Sequence, residues 1–189
     1  MSKILCFIYN DMADFEMVLA CQLLKFLNRF ELVPIAYEME AVKSNPGLIY
    51  QPAATVKQAL EFGDVDGIII PGGWNDEQRE ELTKLIQKVH QEGKLVAAIC
   101  AGPQYLARAG ILDNHKFTTT LTKEHLEEQG KEDFFPRHNY QKQNVIRDGN
   151  VITAIGSAFV DFAVEIADWF KMFDNKEEKE ECIKDFKAL

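Results

Sequence analysis

Residues 95–110, LVAAICAGPQYLARAG, place a cysteine between an apolar run and a proline-led helical pattern. A thiol at that junction has two readings. Cysteine is among the most buried residue types, so Cys100 can be a small apolar filler. It also stands where a strand turns sharply into a helix, the position from which a nucleophile elbow presents its side chain. Such a turn needs small residues two before and two after the nucleophile, and here they are Ala98 and Gly102, with Ala101 adding little bulk. The start of the following helix would favour the thiolate and lower its pKa.

Two other stretches carry residues suited to the same chemistry. Gly72-Gly73 closes the run DGIIIPGG. A glycine pair at a strand end is commonly a tight turn, but it also lets backbone N–H groups approach a ligand oxygen closely. Neither G-x-G-x-x-G nor a Walker A pattern occurs, so the pair is no nucleotide fingerprint. In DMADFEMVLA, Asp11 and Asp14 suit a helix start as caps. Glu16 precedes an apolar stripe and can turn inward; a desolvated carboxyl beside Cys100 would stay protonated and donate to its sulfur. Cys6, Cys21 and Cys182 read as fillers, and the spacing of the Cys and His residues predicts no metal site.

The elements that must position these residues alternate. KILCFIY (Lys3–Tyr9) reads as a buried strand, and Phe15 to Phe30 as a helix with Val18, Leu19, Leu23, Leu24, Phe26 and Leu27 as its apolar positions. ELVPIAY is a second strand, with Pro34 pointing to an edge or a bulge. Residues 41–56 suggest a hairpin or loop excursion, and DGIIIPGG the clearest strand. A helix is predicted over Asp76–Glu92, striped by Leu82, Leu85, Ile86 and Val89 and ended by Gly93. KLVAAIC is a strand, GPQYLARAG a helix, and KFTTTL a further strand. NVIRDGNVITAI reads as a hairpin, Ser157–Phe170 as a helix with a broad apolar face, and the charged tail from Asp174 as a surface helix. Alternating strands and helices imply an α/β fold with a mainly parallel sheet covered on both faces, one domain over residues 1–189. Its sites belong beyond the carboxyl ends of the strands, of which Asn10–Glu16, Pro71–Trp74 and Cys100–Pro103 stand out.

Composition narrows the function classes. The chain has 189 residues, 47% hydrophobic, and a net charge of −9, which argues against a nucleic-acid partner. No apolar run is long enough for a membrane span, so the expectation is a cytoplasmic protein with no membrane partner and reduced thiols.

Taken in order, ILCFIYNDMADFE, DGIIIPGG, VAAICAGPQYLARAGIL and GSAFVDFAVEIADWF resemble the ThiJ/PfpI (DJ-one) superfamily, of class I glutamine-amidotransferase-like, flavodoxin-like fold: a three-layer sandwich with helices on both faces. The resemblance implies that Cys100 is the reactive, oxidation-prone cysteine and Glu16 the acid hydrogen-bonded to it. It further implies an oxyanion pocket from backbone N–H groups at Gly73 and Ala101, with Gly72 and Gly102 alongside, a homodimer, and no organic cofactor. Two departures stand out. Ala101 occupies the place of the histidine that protease-like members carry directly after the cysteine, and Thr120 the place of the histidine others carry after the elbow helix. His125, His138 and Ser157 complete the candidate set; both histidines read as surface residues. A peptidase is therefore disfavoured. What remains is a cysteine-dependent enzyme on a small carbonyl-, amide- or nitrile-like substrate, glyoxalase- or deglycase-like or a hydrolase. The alternatives are a non-enzymatic, redox-responsive stress protein that uses oxidation of Cys100, and a retained fold whose site binds a ligand or a protein partner.

Overall fold

A computed structural model describes residues 1–188. The first strand, β1 (Ser2–Phe7), buries Ile4 through Phe7 consecutively, as a strand covered on both faces must. Helix α1 (Phe15–Phe26) follows, then β2 (Phe30–Ala36), the short antiparallel pair β3 (Val42–Lys43) and β4 (Ile49–Tyr50), β5 (Ala54–Thr55) and the one-turn α2 (Val56–Ala59). Next come β6 (Val65–Ile70), α3 (Glu80–Gln91), β7 (Leu95–Ile99), α4 (Pro103–Arg108) and α5 (Lys123–Glu128). The hairpin β8 (Val145–Asp148) and β9 (Val151–Ala154) precedes α6 (Phe159–Trp169) and α7 (Lys176–Lys187).

The seven-stranded sheet runs β5-β2-β1-β6-β7-β9-β8, parallel except for the β8–β9 hairpin. Helices α1 and α6 pack together on one face, with α7 outside α6, while α2, α3 and α4 cover the other. This is the expected α/β three-layer sandwich. Strand order reverses between β1, which is followed outward by β2, and β6, which returns to the other side of β1. Ligand sites of open α/β sheets form at such a switch point.

Several expected elements end elsewhere. Helix α1 stops at Phe26, because Phe30 already pairs with Ser2 in the sheet. Its inward face is Glu16, Met17, Ala20, Leu23 and Leu24, whereas Val18 and Phe26 are exposed. Strand β2 is not an edge: β5 pairs with it, but only at Ile35 and Ala36, so Pro34 escapes the need for a ladder donor on that side. Helix α3 starts at Glu80, not Asp76, since residues 74–79 are spent in a loop pinned by Tyr105 Oη donating to the Asn75 carbonyl (2.9 Å) and Tyr37 Oη to that of Glu77 (3.0 Å). Its stripe of Leu82, Leu85, Ile86 and Val89 is buried as predicted. Residues 116–121 form no strand. Thr118 N donates to Thr153 Oγ1 (2.9 Å) and Thr120 N to the Cys100 carbonyl (3.0 Å), so the segment caps the sheet rather than extending it.

Candidate active site

The site is assembled by two loops that leave neighbouring strands. After β1, residues 11–13 lie antiparallel to residues 72–74 after β6: Ala13 N donates to the Gly72 carbonyl (2.8 Å) and Trp74 N to that of Asp11 (3.1 Å). That pairing fixes the start of α1 against the glycine pair. Asp14 caps α1, accepting from Phe15 N (2.9 Å), and its buried carboxylate also takes Ser44 Oγ (2.9 Å) and Tyr50 Oη (2.8 Å) from the β3–β4 excursion. Glu16, in the first turn, is driven inward and is only 2% exposed. Its Oε2 accepts from Gly72 N at 2.7 Å.

Cys100 follows β7 with φ +62°, a left-handed conformation that costs a non-glycine residue about 1–3 kcal/mol. The turn holds it there from both sides. Cys100 N donates to the Ala154 carbonyl (2.8 Å), and the Cys100 carbonyl accepts from Thr119 Oγ1 (2.7 Å) and Thr120 N (3.0 Å). Gly102 N closes the turn onto the Ile99 carbonyl (2.8 Å). A Cβ on Gly102 would meet the carbonyl oxygens of Ile70 (2.6 Å) and Ile99 (2.8 Å), which is why the elbow needs a small residue there.

Cys100 and Glu16 lie side by side, their side chains meeting at the same two glycines. Two glycines clamp the pair. A Cβ on Gly72 would stand 2.6 Å from Cys100 Cβ and 2.8 Å from Glu16 Oε2. A Cβ on Gly156 would stand 2.8 Å from Glu16 Oε1 and 2.9 Å from Cys100 Sγ. Gly156 was not among the sequence candidates, although its place just beyond β9 was the available signal.

The amides divide into occupied and free. Gly72 N serves Glu16 and Gly102 N serves Ile99, so neither holds a substrate oxygen; both glycines act by allowing close approach. Ala101 N points at the Cys100 sulfur. Gly73 N has no acceptor among the described residues, so it and the Ala101 amide are the two not committed to another protein oxygen.

Electrostatics differ from the sequence expectation. Burial, followed by the charge of Glu16, pushes the Cys100 thiol up to about 11, against hydrogen bonds from Thr120 and Ala101 that favour the thiolate. Helix α4 has only six residues, and the pull of its dipole does not prevail. Burial also raises Glu16, opposed by its bonds to Cys100 and Gly72 N. Two acids sharing one dry site cannot both ionise, so the pair retains one proton through neutral pH.

Above the thiol opens a cavity of about 300 Å³ walled by Phe15, Trp74, Leu121 and Leu126. Thr120 and His125 both line it, so His125, though exposed, faces the same space as Cys100; its Nε2 lies 2.9 Å from Gln129 Nε2. Ser157 borders an adjoining opening that also reaches Cys100 and Thr120. His138 lines neither. The aromatic walls Phe15 and Trp74 fall within the strand-end segments 10–16 and 71–74, but as exposed aromatics next to polar loops they carry no periodic signal that singles them out. Among the described residues no three His, Cys, Asp or Glu side chains cluster as a metal site requires, and no helix is long and apolar enough to cross a membrane.

The pattern of the DJ-1/PfpI family matches residues 2–168. The chain belongs to this family. Its fold is similar to the crystal structure of the DJ-1 superfamily protein Atu0886 from Agrobacterium tumefaciens, with a TM-score of 0.83 and 30% identity over 100% of this chain and 98% of that one. Among curated relatives, it is 38% identical over 98 residues to MJ0967 of Methanocaldococcus jannaschii, 48% of this chain and 44% of that protein. It is 31% identical over 113 residues to Deglycase PfpI of Pyrococcus furiosus, 50% of this chain and 68% of that protein. The match therefore spans less than half the length of MJ0967.

Proposed function

We propose that the protein is a cysteine-dependent enzyme acting on small 1,2-dicarbonyl compounds, in the manner of a glyoxalase or deglycase. The observation that carries this reading is the clamped Cys100–Glu16 pair, with the free amide of Gly73 and that of Ala101 beside it. The deglycase name of the PfpI relative supports the choice of substrate. Neither place where the family's histidine could stand carries one, so chemistry that needs a Cys–His dyad is disfavoured, whereas addition to an aldehyde needs only the thiol and one acid.

The steps balance with one added water. Sγ bonds to the aldehyde carbon, the carbonyl π pair moves onto oxygen between the two amides, and the thiol proton reaches that oxygen through Glu16. Glu16 then takes the carbon-bound hydrogen as a proton and the neighbouring carbonyl oxygen is protonated, giving an enediol; return of a proton to the neighbouring carbon and loss of the proton on the first oxygen convert it to a thioester of a 2-hydroxy acid. Water cleaves the S–C bond, releasing the acid and restoring the thiol. Amide and isocyanide hydrolysis would use the same nucleophile and oxyanion site. A panel of 2-oxoaldehydes, small amides and isocyanides followed by NMR separates these: 2-hydroxy acid from the 2-oxoaldehydes is expected. Turnover of amides or isocyanides alone overturns the assignment.

A second reading, peroxide sensing by Cys100, is favoured by the Ala101 amide and Thr120 hydroxyl that already point at the sulfur and would hold an added oxygen. It replaces the first if no panel member reacts while peroxide converts Cys100 selectively to a sulfinic acid.

A further inference from the structure

Cys6 lies in β1 and Cys21 in the middle of α1, and the fold brings their sulfurs to 3.6 Å, close enough for one thiol to donate to the other. No C-x-x-C spacing links them in the sequence, so nothing local marks them as a pair. Their surroundings differ. Cys6 is 3% exposed, within the sheet-facing core, whereas Cys21 is half-buried on the helix. We propose that Cys6 and Cys21 form a redox-active dithiol, separate from Cys100, that closes to a disulfide when a peroxide reaches Cys21.

The roles follow from access and from the hydrogen bond. The hydrogen bond between the two thiols lowers the Cys21 pKa and, with burial, raises that of Cys6, so Cys21 is the more readily ionised partner as well as the more accessible one. Cys21 sulfur attacks one peroxide oxygen, the O–O bond breaks, and Cys21 becomes a sulfenic acid with loss of water. Cys6 sulfur then attacks Cys21 sulfur, the S–O bond breaks, and the hydroxide leaves as water with the Cys6 proton. Two thiols are oxidised by two electrons, and one peroxide is reduced to two waters. The sulfurs must close from 3.6 Å to about 2.05 Å, a shift of the helix over the strand. The bond would tie β1 to the helix that carries Glu16.

The test is peptide mapping of the full chain after limited hydrogen peroxide, alkylation of remaining thiols, and digestion without reductant. The expected result is a Cys6–Cys21 cross-linked peptide lighter by two hydrogens than the two thiol peptides, lost on dithiothreitol treatment and formed equally in Cys100→Ala. Cys21→Ser should leave Cys6 alkylated. If Cys6 and Cys21 are both alkylated once Cys100 is oxidised, or Cys21 reaches a sulfinic acid with no cross-link, the proposal is wrong. Because the cross-link is read directly, its failure leaves the Cys100 chemistry untouched.

Discussion

At the scale of single residues, reactivity depends on how one proton is shared between Glu16 and Cys100. The carboxyl and the thiol both sit higher than usual, each chiefly through burial, and the charge of Glu16 raises the thiol further. Glu16→Gln removes that charge while keeping an acceptor for Gly72 N. The midpoint of Cys100 alkylation by iodoacetamide should therefore fall from about 11 toward the ordinary thiol range, read from the rate against pH. The same substitution should stabilise the fold. A carboxyl raised by folding is protonated at no cost below its ordinary pKa, and its penalty grows as pH rises through the raised value. The gain should thus be present at neutral pH and vanish near pH 4, measured by urea denaturation at both. Cys100, Glu16 and the small residues of the elbow were legible because a sharp strand-to-helix turn restricts residue size. Gly156 was not, since it touches the pair from a turn beyond β9, more than 50 residues away from Cys100 in the chain.

Among the elements, periodicity succeeded where one face is dry and failed where loops compete for the backbone. Helix α3 shows its four-residue stripe plainly. Helix α1 does not: Val18 and Phe26 are apolar yet exposed, and the inward positions include Glu16 and Ala20. Leu85→Ala should accordingly cost about 2–5 kcal/mol, whereas Val18→Ala should change stability by no more than about 0.5 kcal/mol. Urea midpoints compare the two directly, and a similar loss at both positions would place Val18 in a buried interface. Residues 116–121 have strand composition, but their amides are claimed by Thr153 and by the Cys100 carbonyl, contacts no local pattern encodes.

For the whole molecule, the order of elements sufficed for the architecture. Apolar strands separated by helices allow few arrangements, and the reversal of strand order between β1 and β6 places the Glu16 and Gly72-Gly73 loops together. What the order could not show is which side chains wall the cavity, because Trp74 and Leu126 approach Cys100 only after the sheet has formed. The central claim is that this cavity holds a catalytic thiol. It is tested most directly by assaying 2-oxoaldehyde conversion to the 2-hydroxy acid in the wild type and in Cys100→Ala, with equal folding verified by circular dichroism. The account predicts that conversion in Cys100→Ala drops to the rate without protein. Conversion that persists at the wild-type rate would contradict it.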